Sequence, residues 1–164
     1  MATSDGIHEA VIKEDGTVSL GMNPVGEINA SEDGYLLDTG SPHLVLFRPG
    51  IDLINVPEEG RKIRYGQDYS PGGVNVNFVE QSDNEIYVRT YERGVENETL
   101  SCGTGIVASA ICAALRAGTD KNSYPVKARG GNLVVRFTRT GDTRFDDIRL
   151  EGPAEFVFEG QINL

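Results

Sequence analysis

Residues 105–117 read Gly-Ile-Val-Ala-Ser-Ala-Ile-Cys-Ala-Ala-Leu-Arg-Ala, and Gly118 follows. Helix formers dominate the run, and a glycine just past the last periodic residue is a common helix stop. A helix here has almost no polar face, because Ile106, Val107, Ala110, Ile111, Ala113, Ala114 and Leu115 spread around its circumference. A helix apolar on every side must be enclosed by other elements. The remaining sequence supplies mainly short strands. The expected architecture is therefore α+β: a curved, mainly antiparallel sheet wrapped around one central apolar helix.

The strand signals are local. Residues 8–13 and 17–22 alternate in polarity around the tight turn signal Asp15-Gly16. Residues 35–39 and 43–47 form short runs separated by Gly40-Ser41-Pro42. Residues 74–80 and 85–91 alternate strongly around Ser82-Asp83-Asn84, a hairpin pattern. Further short strands are expected at 126–128, 133–138, 148–151 and 155–159, punctuated by Gly130-Gly131, Gly141-Asp142 and Gly152-Pro153. Residues 26–34 read as loop. A second helix is expected over 56–65, with Pro57 in its first turn and Gly60 as an interior weakness.

Composition bounds the function classes. The chain has 164 residues, 38% of them apolar, which is enough to bury a core without disulfides. Its net charge is −10, and the acidic residues are spread along the chain. Nucleic acid is a poor partner for such a surface, since phosphate neutralisation needs clustered cations, and Arg61, Lys62 and Arg64 are scattered basics. With two cysteines, Cys102 and Cys112, the chain lacks the pattern of a disulfide scaffold. Residues 1–6 carry no signal-peptide pattern, and no apolar run has membrane-spanning length. The expectation is a cytoplasmic protein with no membrane partner.

The chemistry concentrates at Ser101-Cys102-Gly103-Thr104-Gly105, the mouth of the apolar helix. The first turn of a helix leaves backbone N–H groups unpaired and carries partial positive charge. A thiol placed there is expected to ionise more easily, and the thiolate is its reactive form. Glycines 103 and 105 leave the amides open to an anion such as a carboxylate or phosphate. The plainer reading is that Cys102 is a small buried residue. That reading is preferred for Cys112, about 15 Å further along the axis at a rise of roughly 1.5 Å per residue. Glu92-Arg93 precedes the site, either as a surface ion pair of little worth or as a carboxylate and a guanidinium fork suited to a carboxylate ligand. His43 follows the Gly40-Ser41-Pro42 turn, where a lone histidine is usually structural. Its functional reading is to tune or relay protons near the thiol. No metal-ligand spacing, dinucleotide fingerprint or Walker phosphate loop occurs.

Several segments together resemble one family. Tyr91-Glu92-Arg93-Gly94, Glu98-Thr99 and Cys102-Gly103-Thr104-Gly105 are similar to the second-cysteine signature of diaminopimelate epimerases. Asp38-Thr39-Gly40-Ser41-Pro42-His43 resembles their Gly-Asn-Pro-His turn, with Ser41 where the pattern usually has Asn. Val74-Asn75-Val76-Asn77-Phe78-Val79 resembles their Asn-bearing strand, and Gly152-Pro153-Ala154-Glu155 their closing hairpin.

The resemblance implies a fold of two pseudo-symmetric halves, each a sheet around a central helix, with substrate between them. It implies that Cys102 is one of two acid/base thiols, and that His43 and Glu92 modulate the thiols. Gly103 and Thr104 would offer amides to the reacting α-carboxylate. Ser41, Asn75, Glu92 and Arg93 would contact substrate, Arg93 reading a carboxylate at the distal amino-acid end. No pyridoxal phosphate, metal or other cofactor is implied. On this reading residues 1–22 are the tail of an N-terminal half, 23–160 the C-terminal epimerase-like domain, and 161–164 a strand returning toward that other half. The missing half is the expected partner beside the diaminopimelate substrate, and its absence is expected to expose apolar surface and favour self-association, as in a homodimer. Two alternatives stay open: a proline or hydroxyproline racemase relative of the same fold, and a non-catalytic substrate-binding domain.

Overall fold

The computed structural model describes residues 2–3, 6–82 and 85–162. In chain order the strands are β1 (Ala2–Thr3), β2 (Gly6–Ile7), β3 (Ala10–Ile12), β4 (Thr17–Gly21), β5 (Ile28–Ala30), β6 (Tyr35–Asp38) and β7 (Pro42–Phe47). Then come helix α1 (Val56–Arg64), β8 (Asn75–Gln81), β9 (Ile86–Glu92), β10 (Asn97–Thr99), helix α2 (Gly103–Ala117), β11 (Ser123–Ala128), β12 (Gly131–Arg139) and β13 (Phe145–Pro153). Short 3₁₀ turns at Ile51–Leu53 and Gln67–Tyr69 flank α1.

The apolar run forms α2, and every residue from Gly105 to Ala114 is buried. Gly118 ends it at φ 59°, its N–H donating to the carbonyls of Ala114 and Leu115. That left-handed turn needs a residue without a Cβ penalty. One sheet runs in the order β3-β4-β13-β12-β11-β9-β8-β7-β6-β5, with β10 paired to β9. Among the described residues its pairings are antiparallel except β7–β8 and β9–β11, which are parallel. The helix packs against β6 to β9 and β11 to β13, so the sheet curves around it.

Period-two alternation sorts the side chains of the central strands. Val45, Val79 and Val88 join the core around α2, whereas Leu44, Leu46, Val76, Phe78 and Tyr91 form a second core under α1. Helix α1 begins as expected near Pro57, with Asn55 Oδ1 accepting from the Glu58 N–H at its start. Gly60 sits where a Cβ would run into the Tyr91 ring, so the interior glycine is a packing requirement. A buried ion pair ties this layer together: Arg89 Nε and Nη2 donate to the two Glu98 oxygens at 2.8 Å, and Nη1 donates to the carbonyls of Ile51, Asp52 and Ile54.

Two element expectations change, and one strand is added. The segment 26–34 contains strand β5, which pairs with β6 and carries little apolar patterning. Residues 97–99, to which the sequence pattern assigns no element, fold back as β10 on the end of β9. Residues 155–159 form no strand: β13 ends at Pro153 opposite Thr17, and the exposed chain beyond it has no paired neighbour among the described residues. The hairpin at 74–91 forms, although Asp83 and Asn84 of its turn lie outside the described residues. Residues 10–21 enter the same sheet through β4 and β13. Of the segment 161–164, only 161 and 162 are described, and they are exposed. Among the described residues no helix is long and apolar enough to cross a membrane.

Candidate active site

Parallel pairing of β7 with β8 puts His43 beside Asn75, and antiparallel pairing of β8 with β9 brings Tyr91 beside Val76. The beginnings of β7 and β8 and the end of β9 therefore share one edge. The start of α2 meets that edge, which gathers Ser41, His43, Asn75, Glu92, Arg93, Cys102, Gly103 and Thr104 from four separate segments.

Cys102 is the N-cap residue of α2, in extended conformation, and 8% exposed. Its sulfur lies 3.5 Å from the Thr104 hydroxyl. The nearby backbone N–H groups of Gly105 and Thr104 favour its ionised form without forming a capping hydrogen bond to the sulfur, yet burial is the largest influence and, with the negative charge of Glu92, it pushes the thiol above its ordinary value. This reverses the expectation of an easily ionised thiol. Desolvation outweighs the helix-start amides, and a ligand or neighbour with positive charge would be needed to tip the balance. Cys112 lies mid-helix, wholly buried, and burial alone drives its thiol far up.

A chain of polar groups runs from the sulfur into the sheet. Thr104 Oγ1 is 2.9 Å from His43 Nε2. His43 Nδ1 is 3.1 Å from Asn77 Nδ2. His43 is fully buried, and burial first, then the charge of Arg93, lowers its pKa to about 3. The ring is neutral at any ordinary pH, so it orients neighbours and does not act as a charged acid. The Thr39 hydroxyl, 2.9 Å from the Thr104 carbonyl, ties β6 to the helix start.

A second cluster lies beside the first. The Ser41 hydroxyl accepts from Asn75 Nδ2 at 2.9 Å and from Arg93 Nη2 at 3.2 Å, which leaves its own proton to donate outward. Asn75 also donates to the Pro42 carbonyl and accepts from the Arg93 N–H. Both of its amide protons are thus committed within the protein. Its visible task is to hold Ser41 and Arg93. No carboxylate lies in ion-pair range of Arg93 among the described residues, whereas Arg89, Arg129 and Arg136 are all paired. Arg93 is therefore a guanidinium available to an anion.

Gly105 has a steric role, since a Cβ there would run into Asn77 Oδ1 and come within 3.3 Å of the His43 ring. Asn77, Thr90 and Thr39 were missed from sequence. Asn77 had left a signal: it occupies an inward phase of β8, between Asn75 and Val79, where an amide needs buried partners. A cleft of about 570 Å³ lies at the other end of α2, lined by Arg48, Arg116, Lys121, Tyr124 and others, and touches no predicted site residue.

A sequence profile of diaminopimelate epimerase matches residues 35–157, which span this entire constellation. The chain belongs to the diaminopimelate epimerase family. A diaminopimelate epimerase of Flavobacterium psychrophilum is 46% identical over 159 residues, covering 96% of this chain and 62% of that protein. One from Methanocella arvoryzae is 41% identical over 140 residues, covering 84% of this chain and 48% of that protein. This diaminopimelate epimerase-family chain thus spans about half to three fifths of the length of these curated relatives. A solved hydroxyproline epimerase from Agrobacterium vitis shares the fold at TM-score 0.62 and 19% identity, covering 93% of this chain and 56% of that one.

Proposed function

We propose that this chain is the C-terminal half of a cofactor-independent diaminopimelate epimerase, serving lysine biosynthesis by interconverting the LL and meso forms of diaminopimelate. The observation that carries the reading is Cys102 at the N-cap of an enclosed helix, with the guanidinium of Arg93, which has no carboxylate in ion-pair range among the described residues, on the same edge. A dicarboxylate amino acid would place its reacting carboxylate on the Gly103 and Thr104 amides and its distal carboxylate on Arg93 and the Ser41 hydroxyl.

Inversion of a Cα–H centre needs a base on one face and an acid on the other. Cys102 as thiolate would take the Cα proton and become a thiol, while an opposing thiol gives up its proton to the other face. In the reverse direction the roles exchange. The amides at the start of α2 would stabilise the charge that develops on the carboxylate side of the carbanion. Glu92 and His43 act on the state of the Cys102 thiol, the first by charge and the second through Thr104. Cys112 does not qualify as the opposing group, being wholly buried in the helix interior.

On this reading the second thiol belongs to an N-terminal half, to which residues 1–22 and 161–164 connect the domain of residues 23–160. The relatives' greater length supports this division. The test is epimerisation of LL-diaminopimelate by the purified chain, alone and mixed with the N-terminal half of a close relative. The chain alone is expected to show no turnover, and turnover in its absence of partner would overturn the reading. A Cys102→Ala chain should fail in both conditions.

A further inference from the structure

The polar chain behind Cys102 has a definite direction, and Asn77 sets it. Asn77 is wholly buried on β8. Its Nδ2 lies 3.1 Å from the Leu44 carbonyl, which can only accept, so this atom is the amide nitrogen and not the oxygen. Its Oδ1 accepts from the Thr90 hydroxyl at 2.9 Å, in agreement. The second Nδ2 proton points at His43 Nδ1, 3.1 Å away. A neutral imidazole that accepts at Nδ1 carries its proton on Nε2. Nε2 therefore donates to Thr104 Oγ1 at 2.9 Å. With that lone pair occupied by a donor, the Thr104 hydroxyl keeps its own proton for the sulfur at 3.5 Å.

We propose that Asn77 is a positioning residue that selects the Nε2–H tautomer of His43 and thereby aims the Thr104 hydroxyl proton at the Cys102 sulfur. The inference rests on the reading of Cys102 as the working thiol, and it adds a specific device to that site. The relay has fixed polarity: Thr90 to Asn77, Asn77 to His43, His43 to Thr104, Thr104 to Cys102. A hydroxyl so oriented favours thiolate over thiol, against the burial that opposes it. If the histidine carried its proton on Nδ1 instead, Nε2 would draw the Thr104 hydroxyl proton toward itself and leave the sulfur without it. Other charges also bear on the pair: Glu92 at the end of β9 acts on the sulfur and Arg93 acts on the ring, and neither is part of the relay. Close packing protects the register, because a Cβ at Gly105 would displace the Asn77 amide.

The test uses the intact chain and nuclear magnetic resonance, with no turnover assay. Long-range ¹H–¹⁵N correlations of the histidine rings, assigned with a His8→Gln variant, should show His43 protonated on Nε2 alone. Asn77→Asp, which accepts and cannot donate, should move a proton onto Nδ1. Thr104→Val should leave the tautomer unchanged and, by ¹³Cβ titration of the labelled cysteines, give about tenfold less Cys102 thiolate at a given pH below its midpoint. An Nδ1–H ring in the parent chain overturns the proposal. So does an Asp variant whose proton stays on Nε2 alone, or a Val variant with an unmoved Cys102 titration. If the Asp variant does not fold, the parent tautomer and the Val variant still decide. Failure of the chain to support epimerisation with any partner would sink the proposed function while leaving these readouts intact.

Discussion

At the residue scale, His43 illustrates how position overrides type. An imidazole with an ordinary value of 6.5 becomes, through complete burial, a neutral hydrogen-bonding spacer with a pKa of about 3. In the unfolded chain the ring takes a proton below 6.5, whereas in the folded chain it resists until about 3. Protonation therefore favours the unfolded chain, and stability falls as pH drops through that window, by up to about 1.4 kcal/mol per pH unit for this one group. Urea unfolding of the parent and a His43→Gln variant across pH 3.5 to 7 should show the parent with the steeper loss, measured over roughly the window set by that shift. Equal slopes would mean the ring is not held neutral. Gly60 supplies a second residue-scale case. Replacing an interior helix glycine by alanine ordinarily stabilises by about 0.5–1 kcal/mol. Here the Tyr91 ring occupies the space a Cβ needs. Gly60→Ala should destabilise by about 1–3 kcal/mol, read as a lower unfolding midpoint.

At the element scale, the hairpin β9–β10 and the 3₁₀ turn at residues 51–53 depend on one side chain. The Arg89 guanidinium is bidentate to Glu98 and also satisfies three carbonyls around that turn. Burial opposes ionisation of Glu98, but Arg89 and Arg129 outweigh it and hold the carboxyl below its usual range. Removing the partner strands a buried charge. Arg89→Met should cost about 3–5 kcal/mol in urea unfolding. Lys62→Ala, which breaks the exposed pair with Glu58, should leave the midpoint unchanged. Because β10 leads directly into Cys102, the Arg89 change should also loosen the start of α2, visible as faster amide exchange at residues 103–105.

At the scale of the whole molecule, apolar groups lie open along the chain's last stretch and its first strands. Ile7, Phe156, Val157, Phe158 and Ile162 are each more than 80% exposed, and Ile12 nearly as much. Since residues 154–162 are exposed along their whole length, ending the chain after Pro153 should leave the thermal unfolding midpoint unchanged. The same truncation should reduce concentration-dependent self-association in sedimentation experiments, because it removes much of the exposed apolar surface. A lowered midpoint would show that the tail packs on the domain after all.

Much of this was legible in the sequence. The largely apolar run of residues 105–117 dictated a buried helix and hence an enclosing sheet, and glycine 118 marked its end, because burial pattern and turn chemistry are local properties. The alternation at 74–91 specified its hairpin for the same reason. The order of motifs pointed to the family. Tertiary structure alone decided the rest. Strand β5 forms because β6 offers it an edge, whereas residues 155–159, with better strand patterning, find no partner among the described residues. The sequence could place Cys102 over helix amides, but only packing determines how much water reaches the sulfur, and here desolvation reverses the expected ease of ionisation. Nor could spacing join Thr90, Asn77, His43 and Thr104 into one directed line, since strand register and helix docking, which are long-range pairings, bring those four residues together.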